Sequence, residues 1–361
     1  MESRKRPGLL WIRYNYGIKL KANIMKKLLF FALMVSVYAP NLTAQQGDLF
    51  NDQLRPLLKT EPFRVGVLVQ TRGLFSFEDD TFNGGRKYEL GATRVDIKGS
   101  IDGGFVYRLQ TEYRNQPAIL DAQVGYKINS DVQIVAGAFK PFTSLDLDPS
   151  PAATNFLNRA RQVGTMMSTR EIGLTLIGKA GDFIYRLGMY NGTGMTRQND
   201  GKFMYSLRAG YAGTLQNDGA LQFGVNTFIN QTEGVNVGNS GLTSAGDRLL
   251  YGFYVDYKSD TFFANAELLQ TTFDAVESAG QEETILGYYA TIGTRFKEQH
   301  EILARVDHLS FDIADRSSNL LSVGWNYYAT DVVKFSVNVL TLINDGADNN
   351  AGLSAQLEYN F

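Results

Sequence analysis

The sequence predicts an all-β fold: a transmembrane antiparallel β-barrel of about sixteen strands with a long third loop that folds inward. Three observations predict it. Apolar and polar residues alternate with period 2 in segments of about 10 to 15 residues, longer than globular strands but long enough to cross a bilayer at a tilt. Aromatic residues crowd the ends of the apolar faces, as at Phe63 and Phe77, Tyr126, Phe183 and Tyr185, Phe203 and Tyr205, and Tyr359 and Phe361. Short connections at Asn129-Ser130, Lys179 to Asp182, Lys258 to Asp260 and Thr330-Asp331 alternate with longer ones, the pattern of short periplasmic turns and long outer loops.

In chain order, residues 1–24 carry six basic residues against Glu2 and match no common targeting pattern. They read as an upstream extension from a mis-assigned start, the alternative being a basic cytoplasmic extension of a signal anchor. From Met25, Lys26 and Lys27 precede an apolar run from Leu28 to Ala39 and a small-residue exit at Thr43-Ala44, the layout of a signal peptide over 25–44. Residues 45–62 read as a periplasmic lead-in, and 63–361 as the barrel. Strands are expected to begin near Phe63, Tyr88, Phe105, Ile119, Val132, Ile172, Phe183, Phe203, Leu221, Leu249, Phe262, Ile285, Ile302, Leu320, Val332 and Leu353. An even count closes an antiparallel barrel with both termini on the periplasmic side, and sixteen strands leave an aqueous channel. After Ala44 no stretch approaches 18 consecutive apolar residues, which excludes helical membrane spans.

Composition limits the chemistry. The 361 residues include no Cys and 2 His, which excludes disulfides, thiolate metal sites and Cys nucleophiles. His300 falls in an expected periplasmic turn and His308 on an apolar face with Ile302, Ala304 and Val306, neither placed for catalysis. Gly181, Gly192 and Gly194 read as turn glycines, and no metal-ligand spacing occurs. The chain is therefore expected to be no enzyme, with no catalytic, cofactor or metal site and no nucleic-acid partner. The formal net charge of −2 includes the basic leader; without residues 1–44, which hold 8 basic and 1 acidic residue, 27 basic and 36 acidic residues remain, a net −9.

Alternation places Arg64, Arg72, Arg94, Lys98, Arg108, Arg114, Lys127, Arg186, Arg208, Arg295, Arg305 and Lys334 on the polar side, with Asp96, Glu112, Asp121, Asp256, Asp307 and Glu358. Acids such as Glu78, Asp79, Asp80, Asp345 and Asp348 fall in outer loops. Rings of bases attract anions, unless they pair with lining acids, for example Arg94 with Asp96 or Arg305 with Asp307. The longest structureless stretch, Lys140 to Arg170, leaves the outer end of the fifth strand. It offers Asp146 and Asp148, then Arg159, Arg161 and Arg170, and its Phe156, Leu157, Met166 and Met167 need cover, so it is expected to enter the lumen and constrict it.

The run LDAQVGYKI, then GAFKPF, NRARQVG with REIGLTLIGK, YRLGMYNGTG, LARVDHLSF and LLSVGWNYYATDVVKFSVNV resembles the phosphate-selective porin O and P family of outer-membrane proteins over most of Phe63 to Phe361. The resemblance implies a sixteen-stranded outer-membrane channel of a Gram-negative bacterium, a homotrimer. It also implies assembly by the outer-membrane barrel machinery, contact with outer-membrane lipids, and passage of small hydrophilic or anionic solutes such as phosphate guided by the lumen and loop bases. The bases here are spread out rather than gathered in a dense arginine ladder or a loop lysine cluster. A non-selective general-diffusion porin, or a closed barrel serving as a structural or adhesive protein, are the alternative readings.

Overall fold

The computed structural model describes residues 55–361 except 79–81, 196–198, 216–217 and 347. The expected extension and signal peptide, most of the lead-in, and Asp79 and Asp80 lie outside the described residues. The part of the lead-in that is described holds one helical turn, α1 (Arg55–Leu58).

Sixteen antiparallel strands follow: β1 (Arg64–Ser76), β2 (Arg86–Ile101), β3 (Phe105–Glu112), β4 (Ala118–Lys127), β5 (Val132–Phe139), β6 (Glu171–Ala180), β7 (Phe183–Tyr190), β8 (Met204–Thr214), β9 (Ala220–Asn236), β10 (Thr243–Lys258), β11 (Phe262–Ala275), β12 (Gln281–Phe296), β13 (His300–Phe311), β14 (Arg316–Tyr328), β15 (Val333–Asn344) and β16 (Asn350–Asn360). Each pairs with its sequence neighbours, and β1 pairs with β16 from Leu68↔Asn360 to Ser76↔Gly352, closing the barrel. Closure leaves no sheet edge, the condition for a β-structure to exist in hydrocarbon.

The alternation has the inverted sense of a soluble protein. Outward side chains such as Phe253 (62% exposed), Ile229, Val323 and Leu357 are apolar and exposed, whereas inward Gln70 and Asp307 are fully buried at 0%. Near the end that carries both termini, outward aromatics meet across strands: Phe105 with Tyr126, Tyr211 with Phe223, and Phe296, His300, Trp325 and Tyr327 in one stacked row. His300 thus begins β13 inside this row rather than lying in a turn. His308 faces outward, stacked on Tyr288 with ring centroids 4.7 Å apart.

Two expectations are corrected. The strands placed near Leu249, Ile285, Leu320 and Leu353 begin earlier, at Thr243, Gln281, Arg316 and Asn350. All four descend from the loop end, where the strand continues above the apolar belt with residues that need no greasy face. The connections at that end are correspondingly shorter than read: 237–242, 276–280, 312–315 and 345–349 take four to six residues, close to the two to five of the turns at the terminal end, and 140–170 is the outstanding loop.

Val323→Lys, on the lipid face, should cost about 2–4 kcal/mol in denaturant unfolding from micelles. Gln222→Lys, pointing inward, should stay within about 0.5 kcal/mol. A larger penalty for Gln222→Lys than for Val323→Lys would mean that inside and outside are reversed.

Candidate functional site

The chain from Lys140 to Arg170 turns into the barrel and is held on nearly every side. Ser144 Oγ and the Leu145 N–H donate to Glu267 at 2.7 Å each, and Gln162 Nε2 donates to the same carboxylate at 3.0 Å. Asp148 accepts from Arg186 (2.7 Å) and Arg208 (2.5 Å). Farther round, Lys334 donates to the Ala152 carbonyl, Asn326 to that of Asn155, Arg72 to that of Leu157 and Arg305 to that of Asn158. The loop then makes a short helix, α2 (Arg161–Met166), against β12 and β13. Gly287 permits the approach: a Cβ there would stand 2.7 Å from Cβ of Gln162.

Packing completes the seal. Leu147, Val163, Met166 and Met167 of the loop join inward-facing Phe139, Tyr190, Phe228, Leu250, Leu269, Phe273 and Ile285 in one buried apolar cluster. The loop therefore fuses with the wall from β5 to β12. Free lumen divides around it. On the terminal side lies a cavity of about 370 Å³ lined by Asp146, Asp256, Tyr289, Arg295 and Glu301, and beside β1 and β2 one of about 310 Å³ lined by Arg72, Lys87, Glu89, Leu157 and Asn158.

The bases expected on the polar side of the strands face inward, by the strand register, but their partners differ from those read. Arg94 bonds Glu112 at 2.9 Å, not Asp96, and Arg108 bridges Asp96 (2.7 Å) and Asp121 (3.1 Å). Asp307 takes Arg161, not Arg305, which caps loop carbonyls and lies over the Phe156 ring at 4.6 Å. Glu112 stands directly across from Arg94 on β3, nearer than a residue two along the same strand, whereas Asp307 is taken by a loop residue that the strand pattern does not place. Arg114 lies beyond the end of β3, in a connection. Arg64 and Lys98 pair in register near the terminal end, where Lys98 also reaches Asp96 at 3.6 Å, and Lys127 and Arg186 line a cavity of about 290 Å³ there. Arg295 and Lys334 meet Glu301 and Glu358.

Within the loop, Arg161 is an anchor. Its N–H and Nε hold both Asp307 oxygens at 2.7 and 3.0 Å, and its Nη atoms reach Ser318 Oγ and two carbonyls. Arg159 staples the loop to itself through the carbonyls of Asp146 and Pro149. Arg170 Nε donates to Asp121 at 2.5 Å. Composition alone could not separate these roles, since they depend on which carboxylate each guanidinium meets.

The charges facing the β1–β4 wall are mostly basic: Arg72, Lys87, Arg94 and Arg108 of the wall and Lys140, Arg159 and Arg170 of the loop, against Glu89, Asp96, Glu112, Asp121 and Asp146. Burial lowers the proton affinity of Arg159 and Arg170, each offset by its aspartate, with Arg94 adding repulsion to both. Burial, then repulsion from Arg159 and Arg170, pushes Lys140 down to about 6 against the pull of Asp148 and Asp121, although its Nζ donates to the carbonyls of Leu147, Asp148 and Pro149. Burial likewise raises Asp146, against the pull of Arg305 and Arg159. Among the described residues no group of His, Asp and Glu could hold a metal ion.

The family model described as phosphate-selective porin O and P matches residues 78–361. A search of curated protein sequences returns no match. Among solved structures, an anion-selective porin from Comamonas acidovorans is similar at TM-score 0.66 and 15% identity, covering 83% of this chain and 99% of that one. The trimer form of the outer membrane protein OmpT of Vibrio cholerae gives 0.63 and 11%, over 84% of this chain and 100% of that one. OprB of Pseudomonas putida gives 0.61 and 10%, over 87% and 97%.

Two outcomes test this geometry. Asp307→Ala should cost about 2 kcal/mol through the lost charged hydrogen bonds, and single-channel conductance should rise as the loop loses an anchor. Because Lys140 binds its proton only below about 6 when folded but near 10.5 when unfolded, the unfolded chain binds more protons between those values. Its penalty on folding is therefore full below about 6 and fades as pH rises towards 10.5. In bilayers, anion preference should strengthen as pH falls from 7 to 5, with Lys140 gaining charge, and Lys140→Met should shrink that step.

Proposed function

The chain belongs to the phosphate-selective porin O and P family and is an outer-membrane porin, and from that premise we propose that it passes small hydrophilic solutes passively, with preference for anions such as phosphate. The observation that carries the anion reading is the charge balance where the inward loop meets the β1–β4 wall, seven bases against five acids. Fixed charges of one sign in a narrow, low-dielectric passage raise the local concentration of the opposite ion. The Comamonas acidovorans porin, whose fold is similar, is itself described as anion-selective. Arg72, Arg94, Arg108 and Arg170 guide the ion, while Arg161 and Arg305 hold the loop. Arg64, Lys98 and Lys127 draw anions to the terminal mouth, which is periplasmic, and Arg114 draws them to the loop end. Arg186 and Arg208, spent on Asp148, position the loop.

The reading extends to assembly and targeting. A homotrimer is supported by the broad apolar outer face and by the trimeric similar structure. Residues 25–44 are removed as a signal peptide, and the barrel assembly machinery inserts 63–361 among outer-membrane lipids. The competing reading, a general-diffusion pore, is favoured by one observation: most of the named arginines already bond a carboxylate or a carbonyl.

Planar-bilayer recording of the purified protein in a salt gradient decides between them. A reversal potential of anionic sign, with chloride current reduced by added inorganic phosphate, is expected. Cation preference would overturn the anion reading, and an absence of conductance would overturn the pore. Arg72→Gln with Arg94→Gln should lower the chloride-to-potassium permeability ratio about fivefold per charge, from about 1 kcal/mol per contact in water. An unchanged ratio would mean that selectivity arises elsewhere.

A further inference from the structure

At the loop end, away from the β1–β4 wall, a further cavity of about 480 Å³ lies between the loop segment Gly164–Thr169, the chain after β7 at Gly192–Met195, and the outer ends of β9 and β10. That volume is ordinary for a small-molecule site. Its two charged groups are both occupied by protein. Glu171 accepts the N–H of Gly192 at 3.1 Å and that of Gly194 at 3.0 Å, a cradle made by two residues at φ +75° and +76° where glycine alone is relaxed. Arg248 donates to Thr271 Oγ1 at 3.1 Å and to the Met166 carbonyl, and lies over the Phe228 ring at 5.0 Å.

Two buried polar side chains in the same lining are not satisfied. Thr193 is 6% exposed and Asn230 is 3% exposed, yet among the described residues Thr193 Oγ1 and Asn230 Oδ1 have no hydrogen-bond partner. The Asn230 amide cannot simply be turned round, because its Nδ2 donates to the Gly192 carbonyl at 2.9 Å. A buried acceptor left unmade is costly, so such atoms mark a place for a partner that comes and goes.

We infer that this cavity binds a neutral, hydroxyl-rich solute of the sugar class, at a site separate from the bases at the β1–β4 wall. The chemistry selects the class. An anion would have to sit beside the Glu171 carboxylate, and an ammonium group would meet the Arg248 guanidinium. A hydroxyl donates to Asn230 and both donates to and accepts from Thr193, while Met167, Met195 and Met204 supply apolar surface for the C–H face of a ring.

The test is calorimetric titration of the purified full chain in micelles with glucose, and separately with inorganic phosphate. Saturable glucose binding that phosphate does not displace is expected. Thr193→Val, close in shape, should weaken it severalfold, and Asn230→Leu about tenfold or more. Because Asn230 also holds the Gly192 carbonyl, Asn239→Trp, which fills the cavity from the connection beyond β9, serves as the independent variant and should abolish binding. The conductance selectivity of Thr193→Val should equal that of the parent, so failure here is separable from failure of the anion channel. No saturable glucose binding, displacement by phosphate, or full affinity in Thr193→Val and Asn239→Trp would overturn the inference.

Discussion

In hydrocarbon no water is present to bond a free N–H or C=O, and every other feature of this molecule follows from that constraint. The sheet must close, and β1 and β16 do so along nine residue pairs, from Leu68↔Asn360 to Ser76↔Gly352. Closure sends alternate side chains into a lumen and the others into lipid, so polar groups accumulate inside and apolar ones outside. The lumen then becomes a crowded polar space whose charges must find partners or water. A long loop with its own apolar residues is the structure's means of filling part of it.

The loop is held by two unlike sets of contacts. On the β5–β12 side it is packed, with Leu147, Val163 and Met166 almost completely buried against inward apolar residues. Elsewhere it is bonded, through Arg161 to Asp307, Asp148 to Arg186 and Arg208, and backbone carbonyls to Arg72, Arg305 and Lys334. Because packing takes one side, the loop's charged groups gather on the other, where Arg159 and Arg170 approach Arg94 and Arg108. The cavity at the loop end lies on the packed side, among β7, β9 and β10, apart from the bases gathered at the β1–β4 wall.

Much of this was legible in the alternation. Strand count, inward sense and the inward turn of the long loop could be read because period 2 is a strong signal and an apolar loop needs cover. Strand tops could not, since above the belt residues such as Thr243 to Arg248 carry no greasy face. The apolar inner wall was half visible: from Leu249 to Val255 both faces are largely apolar, so alternation fails where an inner partner waits. Charge pairing was not visible at all. Whether Arg161 guides an ion or grips Asp307 depends on a contact between positions 146 residues apart, and no local pattern encodes it.

The absence of Cys from the natural sequence allows the central claim, that the loop rests against the far wall in the working channel, to be measured directly. A Cβ at Gly287 of β12 would stand 2.7 Å from Cβ of Gln162 in the loop, so Gln162→Cys with Gly287→Cys places two thiols within disulfide reach once the loop gives by about 1 Å. Oxidation should form the disulfide readily and leave single-channel conductance unchanged, since the loop is already there. A pair that does not oxidise, or a conductance that changes sharply on oxidation, would contradict the account.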